Sequence, residues 1–250
     1  MSDQSISVII NSCEADEHYL GRCFSAIHWQ LTAADELILV CDTDRSEFDR
    51  WKPPCEASYV RHSVQSWKGI SKARNAGAAL AKSRWLKFMD VDDVLAPFAL
   101  SSFRKLDCPE TVKVIAGGQT TIHNGAFSMD FIPANPARFM EQERINIVNP
   151  WGGINTQNPA LVSHTFIERA AFNEVGGFDE KVDWEEEWDL WIRLWQKYGL
   201  KALAMMRARV CYYWISDEER TKKIRRHEVN GMDVHQYLHE KYGINPGYKF

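Results

Sequence analysis

The densest chemistry in the sequence lies at Asp90-Val91-Asp92-Asp93, three carboxylates within four positions at the end of the apolar run Trp85-Leu86-Lys87-Phe88-Met89. Like charges this close repel, so the cluster is tolerated where water solvates it or a cation bridges it. Hard divalent cations such as Mg²⁺ or Mn²⁺ take one or two carboxylates and fill their remaining positions with phosphate oxygens. A second acidic group, Glu185-Glu186-Glu187, sits among Trp184, Trp188, Trp191 and Trp195. Indole neighbours strip water from a carboxylate and raise its proton affinity, which suits it to act as a general base near neutral pH. Both groups also have plainer readings. The first could be a solvated turn in which Asp93 caps a helix that Pro97 helps to start. In the second, Asp183 and Glu186 fit a capping box, and glutamates are favoured at a helix start in any case. Glu187 is not needed as a cap, and it is the carboxylate left for chemistry.

The elements that must position these groups can be read from periodicity. Residues 6–10 form a short β-branched strand, and residues 16–30 place Leu20, Cys23, Phe24 and Ile27 on one helical face. A near-continuous apolar strand follows at 36–41, then a weaker one at 57–60 after the Pro53-Pro54 break. The Ala-rich stretch 70–82 favours helix, and its Ala73, Gly77 and Ala81 allow close packing on a sheet. The strand at 84–89 then delivers the first acidic cluster. Strand and helix in alternation imply right-handed crossovers and a parallel sheet, with Ser12, Glu14, Asp42, Asp90 and Asp92 gathered at one edge. Open sheets of this kind bind ligands at the carboxyl ends of their strands.

Further along, the pattern predicts a helix near 97–105, a strand at 112–116 and another at 210–215. Residues 117–158 carry Gly117-Gly118, Pro133, Pro136, Pro150 and Gly152-Gly153, and read as irregular structure with short strands covering the site. Phe131, Phe139 and Trp151 in that stretch could line an acceptor pocket or simply anchor surface loops. Trp184, Trp188, Trp191 and Trp195 recur at spacings that give one helix an aromatic face. The segment 218–241 is charged and helical in character. Its Arg225, Arg226 and His227 suit phosphate or metal contact, or a solvated surface.

Bulk composition narrows the classes. The chain has 250 residues, 45% hydrophobic and 26% charged, an ordinary globular balance with ample core. A net charge of −4 offers no basic field to recruit nucleic acid or anionic lipid. Six scattered cysteines without a C-x-x-C pair argue against zinc and against a disulfide scaffold, and fit a reducing compartment. The N-terminus lacks a basic region followed by a long apolar run, so no signal peptide is expected. Nothing approaches the length of a membrane span. A cytoplasmic protein is expected.

Five segments in order resemble the family 2 glycosyltransferases of the GT-A fold. They are Ser7-Val8-Ile9-Ile10-Asn11-Ser12-Cys13-Glu14, Val40-Cys41-Asp42-Thr43-Asp44, Gly69-Ile70-Ser71-Lys72-Ala73-Arg74-Asn75-Ala76-Gly77, Phe88-Met89-Asp90-Val91-Asp92-Asp93, and Gly176-Gly177-Phe178-Asp179-Glu180 with Glu186-Glu187-Trp188-Asp189-Leu190-Trp191-Ile192-Arg193-Leu194. The likeness spans roughly residues 5–105 and 160–198. It implies an α/β fold with a Rossmann-like, mostly parallel central sheet flanked by helices and a smaller acceptor-side subregion. Residues 1–215 would form the transferase domain, 1–105 holding the nucleotide sugar and 106–215 the acceptor and catalytic group, with 216–250 a charged helical tail. Two positions depart from the family pattern: Cys13 replaces a base-stacking Tyr, and Glu187 replaces the Asp proposed as base.

The resemblance further implies an inverting transfer of a sugar from a nucleotide-diphosphate donor, UDP-linked by preference, to a hydroxyl of a glycan or lipid-linked acceptor, in bacterial-type polysaccharide or glycoconjugate synthesis. Ser12, Cys13, Glu14 and Asp42 would lie near the base, Arg74 near base or phosphate, and Asp90 with Val91 at the ribose. Asp92 with Asp93 would hold Mn²⁺ or Mg²⁺, and Glu187 would be the base. Trp151, Glu186 and Trp188 would lie on the acceptor side, with His227 at metal or phosphate. Peripheral attachment to a membrane is compatible with such an acceptor. Two other readings are weighed beside it. The departures at Cys13 and Glu187 fit a transferase-like protein that binds sugar or nucleotide without turnover. A sugar-1-phosphate nucleotidylyltransferase would need a Gly-rich basic loop after the first strand, and Asn11-Ser12-Cys13-Glu14 is neither.

Overall fold

Alternation of apolar strands with helices in the first ninety residues builds a parallel sheet, and the later strands extend it. The computed structural model describes residues 3–12, 17–41, 58–63, 69–131, 154, 158–215 and 228–243. In chain order these form β1 (Ile6–Ser12), α1 (Glu17–Ile27), β2 (Glu36–Cys41), β3 (Ser58–Ser63), α2 (Ile70–Leu80), β4 (Trp85–Asp90), β5 (Val94–Leu95) and α3 (Ala99–Arg104). There follow β6 (Val114–His123), β7 (Ala126–Phe131), β8 (Thr165–Glu168), α4 (Arg169–Glu174), α5 (Glu186–Tyr198), β9 (Leu203–Ile215), a small hairpin of β10 (Glu228–Val229) and β11 (Met232–Asp233), and α6 (Val234–Tyr242).

The main sheet runs β3-β2-β1-β4-β8-β6-β9-β5, with β7 paired to β6. Strands β3, β2, β1 and β4 are mutually parallel. Beyond them β8 runs antiparallel to both β4 and β6, while β9 is parallel to β6. So β6 and β9 point the same way as the first four strands, which makes the sheet mostly parallel. Register sets Asn11 opposite Asp90 and Ser12 opposite Cys41, so the tips of β1, β2 and β4 end together.

Side-chain alternation divides β1 and β4 between two cores. Ile9, Leu86 and Phe88 face the layer that contains α2, α4, α5 and α6. Ile6, Val8, Ile10, Trp85 and Met89 face α1 and α3. Gly77 brings α2 close to the sheet, since a Cβ there would lie 2.4 Å from Ile9 Cγ2 and 3.0 Å from Val40 Cγ2.

Several expectations need correction. Residues 117–123 continue β6 rather than forming irregular structure. Gly117 lets β6 and β9 approach, because a Cβ would meet Val210 Cγ2 at 2.2 Å and the Ala208 carbonyl at 2.9 Å. The register between the two strands shifts at this point. Asp93 does not cap α3, whose N-cap is Phe98 in a left-handed conformation. Nor does a capping box start α5: its N-cap is Glu185 at φ 57°, with no side-chain cap. The Asp183 carboxylate lies instead against Gly69 at the start of α2.

Residues 228–243, expected within a charged tail, pack into the same core as α5 through Val229, Val234 and Leu238. Lys241 Nζ donates to Asp179 and Asp189 at 2.7 Å each, and the Tyr242 hydroxyl donates to Asp189 at 2.6 Å.

Candidate active site

The site begins at the tip of β4, where the parallel strands end and backbone groups lose their ladder partners. Asp90 is the last residue of the strand, and its Oδ1 accepts from Asn11 Nδ2 at 3.2 Å and from Arg74 Nη2 at 2.8 Å. Arg74 projects from α2 and is 2% exposed. Its other terminal nitrogen, Nη1, donates to Glu186 Oε1 at the start of α5. One guanidinium therefore joins the tip of β4 to the Trp-rich helix. The Phe178 ring lies 5.5 Å from the guanidinium carbon. Burial alone would lower the proton affinity of Arg74, but Asp90, Glu186 and Glu187 reverse this and hold it firmly charged.

The local sequence explains why α2 and the loop before α5 meet. Ser71, Arg74 and Asn75 recur at helical spacing and share one face. The Ser71 hydroxyl donates to the Val182 carbonyl at 2.5 Å. Asn75 clamps the backbone of Phe178, donating to its carbonyl and accepting from its N–H, both at 2.9 Å. Gly177, at φ 70°, gives Asn75 its room, since a Cβ there would fall 2.7 Å from Asn75 Oδ1.

Glu187 follows directly and is 7% exposed. Burial, then the neighbouring Glu186 and Glu185, push its carboxyl well above the ordinary range, with Arg74 opposing. Trp188 and Trp191, which flank it on α5, are wholly core residues. Their indole N–H groups donate to the carbonyls of Ile154 at 2.6 Å and Ala160 at 2.8 Å. Trp188 thus ties the preceding loop to the helix, and it is not the acceptor-facing surface expected from the sequence. Glu186 is likewise spent on Arg74.

The acidic turn divides its carboxylates by direction. Asp92 is partly exposed, and its backbone carbonyl accepts from Arg22 Nη2 of α1 at 2.6 Å. Asp93 is 1% exposed; its Oδ1 accepts the Trp214 N–H of β9 at 3.4 Å, and its Oδ2 is buried without a hydrogen-bond partner. Burial, then Asp92 and Asp90, push its carboxyl well up, with hydrogen bonding opposing. Asp93 is therefore buried beside β9, and Asp92 is the more exposed carboxylate of the two. The Val91 side chain is in the core.

Below the turn, Lys87 is fully buried, with Nζ donating to the Phe88 carbonyl at 2.9 Å and the Ser163 carbonyl at 2.5 Å. Burial lowers it to about 8. Ser12 ends β1 at the same edge. Cys13, Glu14, Asp42, Trp151 and His227 lie outside the described residues.

Among the described residues, no group of three or more His, Cys, Asp and Glu side chains could by itself hold a metal. A hard cation at Asp92 would need oxygens from a bound ligand, the pattern that diphosphates complete. Asn11, Arg22 and Lys87 escaped the sequence reading. Each has a partner on another element, and only Lys87, a lysine inside an apolar strand, was marked by its own position.

Comparison with known proteins places this geometry in context. Residues 7–167 match the sequence model of glycosyl transferase family 2. The chain is 28% identical over 134 residues to the UDP-Glc:alpha-D-GlcNAc-diphosphoundecaprenol beta-1,3-glucosyltransferase WfgD of Escherichia coli, a match covering 53% of this chain and 52% of that protein. It therefore spans about half the length of that relative. Residues 1–349 of S. aureus TarS superpose with TM-score 0.63 at 16% identity, over 84% of this chain and 60% of that one. The same portion of TarS in complex with UDP-GlcNAc gives 0.64 at 15%, over 88% and 61%. The architecture expected from the sequence, a mostly parallel α/β sheet of GT-A type, is the one the chain adopts.

Proposed function

The chain belongs to glycosyl transferase family 2, and from that premise we propose that it transfers a sugar, with inversion, from a UDP-linked donor to a hydroxyl of a glycan or lipid-linked acceptor. The observation that carries this reading is Arg74, which joins Asp90 at the strand tip to Glu186, next to Glu187. The carboxylate proposed for the donor side and the helix that carries the proposed base are thereby linked through one guanidinium. The uridine donor is supported by the names of the relatives, WfgD as a UDP-Glc enzyme and TarS as a complex with UDP-GlcNAc. WfgD's diphosphoundecaprenol acceptor supports a lipid-linked acceptor here. Among the described residues no helix is long and apolar enough to cross a membrane; peripheral contact with such a lipid goes with this reading. A cytoplasmic setting goes with this reading, as nucleotide sugar and reduced cysteines would be expected together there.

In the proposed reaction the acceptor oxygen bonds to the anomeric carbon as the bond from that carbon to the diphosphate oxygen breaks. The acceptor's proton passes to a Glu187 carboxylate oxygen. A desolvated carboxyl with raised proton affinity is a stronger base than an exposed one once it is ionised. Asn11 and Arg74 fix Asp90, the proposed ribose contact. Asp92, with the donor's own phosphate oxygens, would hold Mn²⁺ or Mg²⁺, which when bound offsets the negative charge of the departing diphosphate.

A thermal-shift panel of nucleoside diphosphates and nucleotide sugars with Mn²⁺ tests the donor class, because a ligand bound only by the folded state raises its melting point. UDP and UDP-sugars should stabilise the chain above the other bases, and equal response to all bases would remove the uridine assignment. Donor hydrolysis by the same protein separates an enzyme from a binding protein. Tight binding with no turnover would favour the latter.

A further inference from the structure

Arg22 has no part in the chemistry above, yet it reaches the acidic turn from a separate element. Its guanidinium carbon lies 5.0 Å from the Tyr19 ring and 4.5 Å from the Trp214 ring. From between these rings Nη2 donates to the backbone carbonyl of Asp92 at 2.6 Å. The N–H of the same Trp214 donates to Asp93. The turn is thus held at Asp92 from α1 and at Asp93 from β9. Both grips converge on the two residues that decide which carboxylate faces outward.

Resting on the donor-site reading, we propose that Arg22 is a positioning residue that presents the Asp92 carboxylate to a diphosphate-bound divalent cation. Three physical effects combine in it. A charge-assisted hydrogen bond to a turn carbonyl fixes the backbone from which Asp92 projects. The two rings hold the planar guanidinium in place, so little side-chain freedom is lost when the turn is used. A positive charge behind Asp90, Asp92 and Asp93 reduces their mutual repulsion when no cation is bound. Removing a group that orients a metal ligand from behind typically costs ten- to a hundredfold in metal affinity.

The test uses the full chain with Arg22→Gln and Arg22→Lys, with UDP and Mn²⁺ as probes. Isothermal calorimetry should show UDP binding in Mn²⁺ weakened about tenfold by Arg22→Gln, and less by Arg22→Lys, which keeps the charge but loses the planar fork. UDP binding in EDTA should be equal in all three proteins. Unchanged binding of UDP with Mn²⁺ by Arg22→Gln overturns the proposal. An equal loss with and without Mn²⁺ also does so, since it marks general damage to the donor site. Should Arg22→Gln fail to fold, Arg22→Lys carries the comparison under the same two criteria. If the wild-type chain itself does not bind UDP with Mn²⁺, the donor-site reading falls and takes this inference with it. Wild-type binding with unaffected variants removes Arg22 alone.

Discussion

At the scale of residues, Glu187 couples function to stability with opposite signs. Its folded-state proton affinity exceeds that of the unfolded chain, chiefly through burial. The folded state therefore binds the extra proton, and that contribution to stability is present at low pH and lost as pH rises from the unfolded value through the raised folded one. Glu187→Gln, neutral at every pH, should raise the melting point at pH 7.5 by about 2–4 °C. It should also abolish transfer while leaving UDP binding intact, checked by calorimetry and a transfer assay on one preparation. Near-normal turnover would remove Glu187 as the base. Arg74 runs the other way. Arg74→Met leaves Asp90 and Glu186 facing each other with no cation, and should cost roughly 3–5 kcal/mol in urea unfolding.

The residue types at these positions were legible in the sequence, because Arg74, Asp90 and Glu187 fall inside strong motifs. Their division of labour was not. That Glu186 pairs with Arg74, and that Asp93 turns inward towards β9, depends on approach between elements far apart in the chain, which no local spacing encodes.

Among the elements, α2 shows how a short motif becomes tertiary structure. Asn75 satisfies both the N–H and the carbonyl of Phe178 in the loop that leads to α5. Asn75→Ala would leave both buried groups unpaired and should cost about 1–3 kcal/mol, measured as a shift in the urea midpoint at constant slope. Helix α6 braces α5 from the other side. His235 Nε2 lies 3.8 Å from Glu185, and its ring is 5.9 Å from that of Trp188. The Glu185 interaction first, then the Glu185 and Asp233 charges, raise His235 above 6.5 against burial. This stabilisation is complete below pH 6.5 and is lost as pH climbs through the raised folded value. Glu185→Gln should flatten the melting-point decline of the wild type over that window, followed by thermal scans from pH 5.5 to 8.5.

Strands β1 and β2 and helix α2 were readable because propensity, periodicity and burial agree there. Strand β6 was readable only at its start, the strand expected at 112–116; Gly117-Gly118 reads locally as a breaker, and the strand runs on through it beside β9. Helix α6 was visible as a helix but not as part of the core. Its charged residues Lys241 and His235 look solvated in sequence and find buried or partly buried carboxylates in space.

For the molecule as a whole, one buried carboxylate joins segments expected to be separate. Asp189, fully buried on α5, accepts from Arg193 of the same helix and from Lys241 and Tyr242 of α6. Truncation after residue 227 would strip two of those donors and remove Val229, Val234 and Leu238, baring the core they share with α5. It should lower the melting point by more than about 5 °C or leave the protein aggregated, followed by thermal scans and size-exclusion chromatography. An unchanged melting point would restore residues 228–243 to the status of a dispensable tail.

The position of β8 has a consequence for biosynthesis. This strand comes late in the chain, yet it lies between β4 and β6, which are translated long before it. On the ribosome both earlier strands must wait with unpaired edges until residues 165–168 have emerged, and such edges are templates for wrong partners. The nascent chain is therefore most exposed to misassembly between completion of β6 and arrival of β8. Chaperone engagement, or a pause in elongation, would matter most within that interval.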